Sequence, residues 1–219
     1  MSATLGADPR LPRLRAAAAQ LQLELIEGNA EQLLAFVDLL RRWNSTYNLT
    51  AIRDPEEMLV QHLFDCLAVV APLCRELPKR PARLLDVGSG GGLPGVVLAV
   101  LIPDLDVTCV DSVGKKAAFI RQAGAELGLR NLRAEHGRVE DLRAAPFDVV
   151  SSRAFASLAD FTGLTRPHLA EAGIWMAMKG KRPDAELASL PADVQVFHVE
   201  HLKVPELDAE RCLVWMRAG

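Results

Sequence analysis

Apolar residues recur at helical spacing through the first third of the chain. Leu33, Leu34, Phe36, Val37, Leu39, Leu40 and Trp43 share one face of a 3.6-residue period, the pattern of a helix with one buried side. The segment from Leu11 to Val70 reads as helical. Within it, Asp54-Pro55-Glu56-Glu57 carries a helix start: a capping carboxylate, proline at the first helical position and an acid at the third. Pro72, Pro78 and Pro81 then interrupt the pattern around the charged segment Arg75 to Arg80, which predicts a joint between two parts of the chain.

Beyond the joint the rhythm changes. Short β-like runs at Arg83 to Val87, Val107 to Asp111, Leu132 to Glu135, Phe147 to Ser152 and Ile174 to Met178 alternate with helical stretches at Pro94 to Leu101, Gly114 to Leu127 and Leu158 to Leu169. That alternation predicts a parallel α/β sheet. The tail departs from it, because Val194 to Val199 and Cys212 to Met216 are β-like runs with no helical pattern between them. An antiparallel hairpin at one sheet edge is the simplest reading. The fold class expected is therefore α/β, Rossmann-like, with a mostly parallel sheet ending in an antiparallel hairpin. Residues 1–80 form an N-terminal helical extension and residues 81–219 the core.

Composition narrows the function classes. Of 219 residues, 50% are hydrophobic and 24% charged, enough apolar surface to offset chain entropy, which excludes disorder of the whole chain. The four cysteines show no C-x-x-C pair or histidine spacing, so reduced core thiols and no metal are expected. Gln20, Gln22 and Glu24 interrupt the apolar stretch that a signal peptide would need. The longest charge-free apolar run, Gly91 to Ile102, is too short for a bilayer, and a soluble cytoplasmic protein with no membrane partner is expected. A net charge of −3 announces no polyanion, so any nucleic-acid contact must come from a local patch. Between Val113 and Arg143, seven basic residues (Lys115, Lys116, Arg121, Arg130, Arg133, Arg138 and Arg143) stand against four acids, and Lys179, Lys181 and Arg182 follow the fifth strand.

The most informative stretch joins the first strand to its helix: Asp86-Val87-Gly88-Ser89-Gly90-Gly91-Gly92-Leu93-Pro94-Gly95. Its glycines permit positive φ and remove the Cβ atoms that would hold a ligand away from the backbone. Gly90 to Gly95 formally matches the G-x-G-x-x-G of nicotinamide-dependent oxidoreductases. Asp86 tilts the choice, because a carboxylate at the strand end suits a cationic aminoacyl group and opposes a pyrophosphate. S-adenosylmethionine, with a sulfonium, an ammonium and no phosphate, is the cofactor expected. Asp111, ending the second strand, is placed to accept from ribose hydroxyls or to cap the following helix.

These residues resemble the bacterial small-subunit (16S) ribosomal RNA guanine-N7 methyltransferases, the family also called glucose-inhibited division protein B. The resemblance covers about Trp43 to Val214. It rests on Tyr47-Asn48-Leu49-Thr50, Arg53-Asp54-Pro55, Asp86-Val87-Gly88, Gly92-Leu93-Pro94-Gly95, Asp111-Ser112, Gly114-Lys115-Lys116, Arg138-Val139-Glu140 and Ser152-Arg153-Ala154-Phe155-Ala156-Ser157-Leu158, in that order. It implies cofactor contact at Gly88, Leu93, Val139, Glu140 and Arg153, with Asp86, Gly90 and Asp111 completing the set. Gly91 stands where a bulkier or prolyl residue is expected in the family's loop.

The resemblance selects guanine N7 as acceptor and ribosomal RNA or the assembled small subunit as partner. N7 bears no hydrogen, so no general base is required, and positioning carries the catalysis. The fourth strand agrees, ending in Ser151-Ser152-Arg153 and not in the Asn/Asp-Pro-Pro-Tyr of exocyclic-amine methyltransferases. Arg138 and Lys179 are expected to bind RNA phosphates. His62 and Trp43 read as packing residues. Tyr47 and Asn48 read equally as a base-stacking platform or as an anchor between extension and core.

Overall fold

The structure is a computed structural model that describes residues 8–26, 28–77, 81–155 and 157–219. The predicted break at Pro78, the end of the charged segment at Lys79 and Arg80, and Ala156 of the motif after the fourth strand lie outside the described residues.

Seven strands make one sheet: β1 (Ala82–Val87), β2 (Leu105–Asp111), β3 (Leu132–His136), β4 (Phe147–Ser152), β5 (Leu169–Lys179), β6 (Val194–His201) and β7 (Cys212–Ala218). Their order is β3-β2-β1-β4-β5-β7-β6. The first five run parallel, with Asp86 opposite Cys109 on one side and Ser151 on the other. The helices α6 (Gly95–Leu101), α7 (Gly114–Glu126), α8 (Leu158–Thr165) and α9 (Asp184–Ala188) lie in the connections. The sheet is buried on both faces, which is why its inner strands read as continuous apolar runs.

Strand alternation sorts those runs into two layers. Leu84, Val149, Met176 and Trp215 face one cluster, while their neighbours Leu85, Val150, Trp175 and Val214 face the other. The first cluster takes up Leu14 of α1 (Arg10–Gln20), Leu33, Phe36 and Leu40 of α2 (Asn29–Tyr47), and Phe64 and Leu67 further on. The helices that precede β1 therefore cover one face of the sheet as a continuous part of its core.

Two connections differ from the expected ones. The helix predicted to reach Leu169 ends at Thr165, followed by a 3₁₀ turn over Arg166–His168, and β5 begins at Leu169. Pro167 lies in that turn, and its missing N–H and fixed φ end the regular helix. The terminal hairpin is antiparallel and at the sheet edge, but β7, last in the chain, lies inside β6. Cys212 to Met216 is wholly buried whereas β6 is only partly so, and the more apolar strand takes the inner place.

The stretch Pro55–Glu76 is long and apolar enough to cross a membrane by length and composition, although its scattered charges hid it from the charge-free count; 72% of its most apolar window is buried within the protein. Asp54 accepts from the Glu56 and Glu57 amides at 2.9 and 3.0 Å, capping α3 (Pro55–Met58) as the sequence predicts. The helix widens into a π turn over Leu59–Phe64 before α4 (Asp65–Leu67), and α5 (Val70–Glu76) follows. Such turns redirect side chains and recur at functional sites.

Packing distinguishes two loop glycines. A Cβ on Gly95 would meet the Cys109 sulfur and lie 3.0 Å from Asp86 Oδ2, whereas one on Gly91 would meet only the terminal methyl of Leu40, at 2.9 Å. Gly95→Ala should lower stability by about 1–3 kcal/mol despite alanine's better helix propensity, and Gly91→Ala by less than about 1 kcal/mol. Denaturant unfolding of the two variants measures the contrast; equal losses would contradict the packing described.

Candidate active site

From β1 the chain winds outward through β2 to β3, then returns to start β4 on the other side of β1. The crevice at the carboxyl ends of β1 and β4 is the place where open α/β sheets bind ligands. The glycine-rich loop fills it. Gly88, Gly90 and Gly92 have φ of +67°, +59° and +78°, a region closed to most side chains. Gly88 N–H donates to the Val110 carbonyl at 2.9 Å. Asp111 ties the loop to β2: its Oδ2 accepts from Gly90 N–H at 2.9 Å and its Oδ1 from Val113 N–H at 2.8 Å. It thereby ties the residue before α7 to β2, although it does not cap the helix: among the described residues, no side chain accepts from the N-terminal amides of α7 as a cap.

Asp86 lies beneath this loop, fully buried. Its Oδ2 accepts from Gly95 N–H and its Oδ1 from Ser151 Oγ–H, both at 3.1 Å. Burial pushes its carboxyl up to about 6, opposed by the hydrogen bonds from Gly95 and Ser151. The carboxylate expected to meet an aminoacyl group directly is instead turned inward, where it braces the first turn of α6 against β4.

On the β3 side of the loop lies a cavity of about 260 Å³, bounded by Val87, Gly88, Asp111, Val139 and Phe155, with Arg138 and Glu140 at its rim. Nothing lies within 4 Å of where a Cβ of Gly88 would stand. Val139 opens a 3₁₀ turn, and its carbonyl lies 2.7 Å from His168 Nε2. The structure thus brings together Gly88, Asp111, Val139 and Glu140 of the predicted cofactor residues. Gly90 is committed to Asp111. Leu93 is buried in the core with almost no exposed surface and lies outside the residues bounding this cavity. Burial of a leucine under the loop is its evident duty.

Arg153 borders a second cavity, of about 430 Å³, on the β5 side; Gln61, His62, Asp65, Lys179 and Arg211 also line it. Arg153 Nη1 is 3.3 Å from the Gln61 carbonyl, 3.4 Å from His62 Nδ1 and 3.6 Å from Asp65 Oδ2. Arg211 Nε donates to Asp65 Oδ1 at 2.9 Å. Burial, and then the charge of Arg153, push the His62 imidazole down to about 4, so it is neutral at physiological pH. Its Nδ1 lies 3.2 Å from the Gln61 carbonyl and 3.4 Å from Arg153 Nη1, and its Nε2 lies 2.8 Å from Thr50 Oγ1, so both ring nitrogens are engaged whichever carries the hydrogen.

His62 therefore borders a cavity as well as packing the helix, and Asp65 and Arg211 were not foreseen at all. The signal for Asp65 was available: it is the one acid in the apolar run from Met58 to Cys74, and a carboxylate inside a buried helix demands a partner.

The predicted basic surfaces separate. Arg130 and Arg133 lie at the amino end of β3, where Arg133 pairs with Asp106, while Lys115, Lys116 and Arg138 belong to the carboxyl end and Arg143 lies in the connection back to β4, beside Pro167 and His168. Lys179 Nζ donates to both Glu186 oxygens at 3.0 and 2.9 Å, and Arg182 pairs with Asp184. Trp43 packs against Phe119, with ring centroids 5.6 Å apart, and carries Tyr47 at 5.1 Å. The Tyr47 ring is 43% exposed.

The family model of rRNA small subunit methyltransferase G matches residues 29–214. A ribosomal RNA small subunit methyltransferase G of Leptothrix cholodnii is 62% identical over 210 residues, 96% of each chain. One of Acidovorax ebreus is 60% identical over 212 residues, 93% of each. Among solved structures, a SAM dependent methyltransferase from Aquifex aeolicus matches with a TM-score of 0.57 over 74% of this chain and 93% of that one, at 15% identity. TrmN from Thermus thermophilus matches with a TM-score of 0.56 over 70% and 48%, at 21% identity. The structural likenesses establish the Rossmann-like methyltransferase fold; the sequence matches go further, and the chain belongs to the rRNA small subunit methyltransferase G family.

Proposed function

We propose that the chain is a soluble cytoplasmic enzyme that transfers the methyl group of S-adenosylmethionine to N7 of a guanine in 16S ribosomal RNA. The observation that carries this reading is a pair of cavities lined by successive residues after β4: Phe155 in the first, which is built around Gly88 and Asp111, and Arg153 and Ala154 in the second, which is lined by guanidiniums. The residues of the first fit the cofactor. Gly88 leaves backbone uncovered at the cavity. Val110, Val139 and Phe155 give apolar surface to flank an adenine. Asp111 accepts two backbone hydrogens, and Lys116 Nζ lies 3.9 Å from its Oδ2; a carboxylate has about four acceptor positions, which leaves capacity for a ribose hydroxyl.

Arg153 lines the second cavity two residues before Phe155 of the first, and it follows Ser152, whose hydroxyl donates to the Val87 carbonyl at 3.0 Å. From there it serves a methionyl carboxylate or an RNA phosphate with the same fork. When bound, S-adenosylmethionine supplies a methyl carbon made electrophilic by its sulfonium. Guanine N7 presents an in-plane lone pair and no hydrogen, so the chain's task is alignment and exclusion of water. The second cavity is suited to hold the acceptor guanosine, with the helices of the 1–80 extension forming its outer wall. Among the residues lining that cavity, His62 and Asp65 are already engaged by Thr50, Arg153 and Arg211, and the proposed reaction leaves both without a proton to take.

Incubating the protein with radiolabelled S-adenosylmethionine and small ribosomal subunits, then mapping N7-methylguanine in the RNA, tests the reading. Label at one guanine N7 is expected; label on protein or at another base position would overturn it. Gly88→Val, whose β-branched side chain is strained at a φ of +67° and would occupy the open space beside the loop, should lose measurable cofactor binding in protein that circular dichroism shows to be folded. Asp111→Ala should weaken that binding by about 1–3 kcal/mol. Calorimetry measures both, and unchanged affinities would contradict the cofactor assignment. The single-turnover rate should be flat from about pH 7 to about pH 9, because His62 titrates near 4 and Asp86 near 6. A rate rising tenfold per pH unit in that window would show that a base is at work.

A further inference from the structure

Asp65 is the one carboxylate lining the second cavity, and it is 3% exposed. Three separate parts of the chain converge on it: its own helix just after the π turn, Arg153 after β4, and Arg211 before β7. Buried ion pairs add little net stability, because desolvation consumes the Coulomb gain, and an apolar residue of similar size would serve the helix at least as well. What the pairing does give is geometry. Two guanidiniums would repel one another at one cavity wall; a shared carboxylate holds them there. Lys179, the other cation at the cavity, is drawn to Glu186.

We propose that Asp65 is a positioning residue that aims the Arg153 and Arg211 guanidiniums at a phosphate of the acceptor RNA. The proposal rests on the reading that the second cavity receives the acceptor. The cluster of two guanidiniums and one carboxylate keeps a net positive charge, matching a phosphodiester. Asp65 engages Nε of Arg211 and faces Nη1 of Arg153, and Nη1 of Arg211 donates to the Glu210 carbonyl at 2.9 Å. Among the described residues, Nη2 of Arg211 and both Nε and Nη2 of Arg153 donate to no protein acceptor. Those free edges form the fork-like donor set that phosphate oxygens accept.

The sign of the effect separates positioning from simple electrostatics. Removing a negative charge near bound RNA should tighten binding and steepen its salt dependence. Removing a positioning carboxylate should do the reverse. The experiment measures Asp65→Leu for thermal unfolding, S-adenosylmethionine affinity, small-subunit RNA affinity at several salt concentrations, and single-turnover methyl transfer. Expected are cofactor affinity within about twofold of wild type, RNA affinity at least about tenfold weaker, and a slope of log affinity against log salt reduced by up to about one unit. Asp65→Asn, which keeps the acceptor for Arg211 but not the charge, should fall between, and it takes the place of Asp65→Leu if that variant does not fold. RNA binding as tight as wild type, or weakened binding with an unchanged slope, would overturn the proposal. Ala154→Leu, which narrows the cavity from its exposed edge without touching the ion pairs, separates the two claims. If it transfers methyl groups at the wild-type rate, the acceptor does not enter this cavity and the reading beneath the proposal fails. If it loses transfer while Asp65→Leu binds and reacts normally, the cavity assignment stands and the role of Asp65 falls.

Discussion

The site depends on how a loop of glycines is held in place. A chain free to adopt positive φ at Gly88, Gly90 and Gly92 loses more entropy on ordering than any other sequence of its length. Two buried carboxylates oppose that loss. Asp111 accepts from the loop at Gly90 and from Val113 just before the next helix, while Asp86 accepts from Gly95 and Ser151 under the loop. Each buried oxygen has a donor, so the braces avoid the penalty of an unsatisfied charge. The upward displacement of the Asp86 carboxyl shows how much burial still costs. At neutral pH its ionised form is sustained by its hydrogen bonds, and the first turn of α6 and the end of β4 are fixed relative to one another by the same atoms.

From that fixed point the two cavities follow. β4 pairs with β1 on one side and β5 on the other, so the residues after β4 reach both cavities. Phe155 belongs to the cavity over β2 and β3, Arg153 to the one over β5. The helices of the N-terminal extension close the second cavity because they share the sheet's core and cannot hinge away without exposing Leu33, Phe36, Leu40 and Phe64. In the reaction proposed here, alignment is the whole of the chain's contribution. Rigid walls that hold two ligands in contact and in line are the structure that such chemistry needs.

Much of this was legible in the sequence because it is carried by local chemistry. The strand and helix rhythm after Pro81 gave the sheet, the glycines gave the shelf, and the Asp54 cap gave the helix start. The motif resemblance gave the family. What escaped reading depends on long-range partners. The direction of the Asp86 carboxylate is decided by Gly95 and Ser151, the latter 65 positions away. The pairing of Asp65 with Arg211 spans 146 positions, and no pattern in either neighbourhood names the other. Charge counting failed for a related reason: a window rich in Arg and Lys was divided between opposite ends of the sheet once α7 reversed the chain. The inner position of β7 was foreshadowed by its wholly apolar run, but sequence order made β6 the natural neighbour of β5.

The division of labour between the cavities is open to one direct measurement, hydrogen–deuterium exchange of the wild-type protein with and without saturating S-adenosylmethionine. The account predicts slower exchange in peptides covering residues 87–90 and 137–140, where the loop and the 3₁₀ turn border the first cavity, with little change at residues 61–65 and 179–182. Protection confined to residues 61–65 and 179–182, with residues 87–90 unaffected, would place the cofactor in the second cavity and contradict the account.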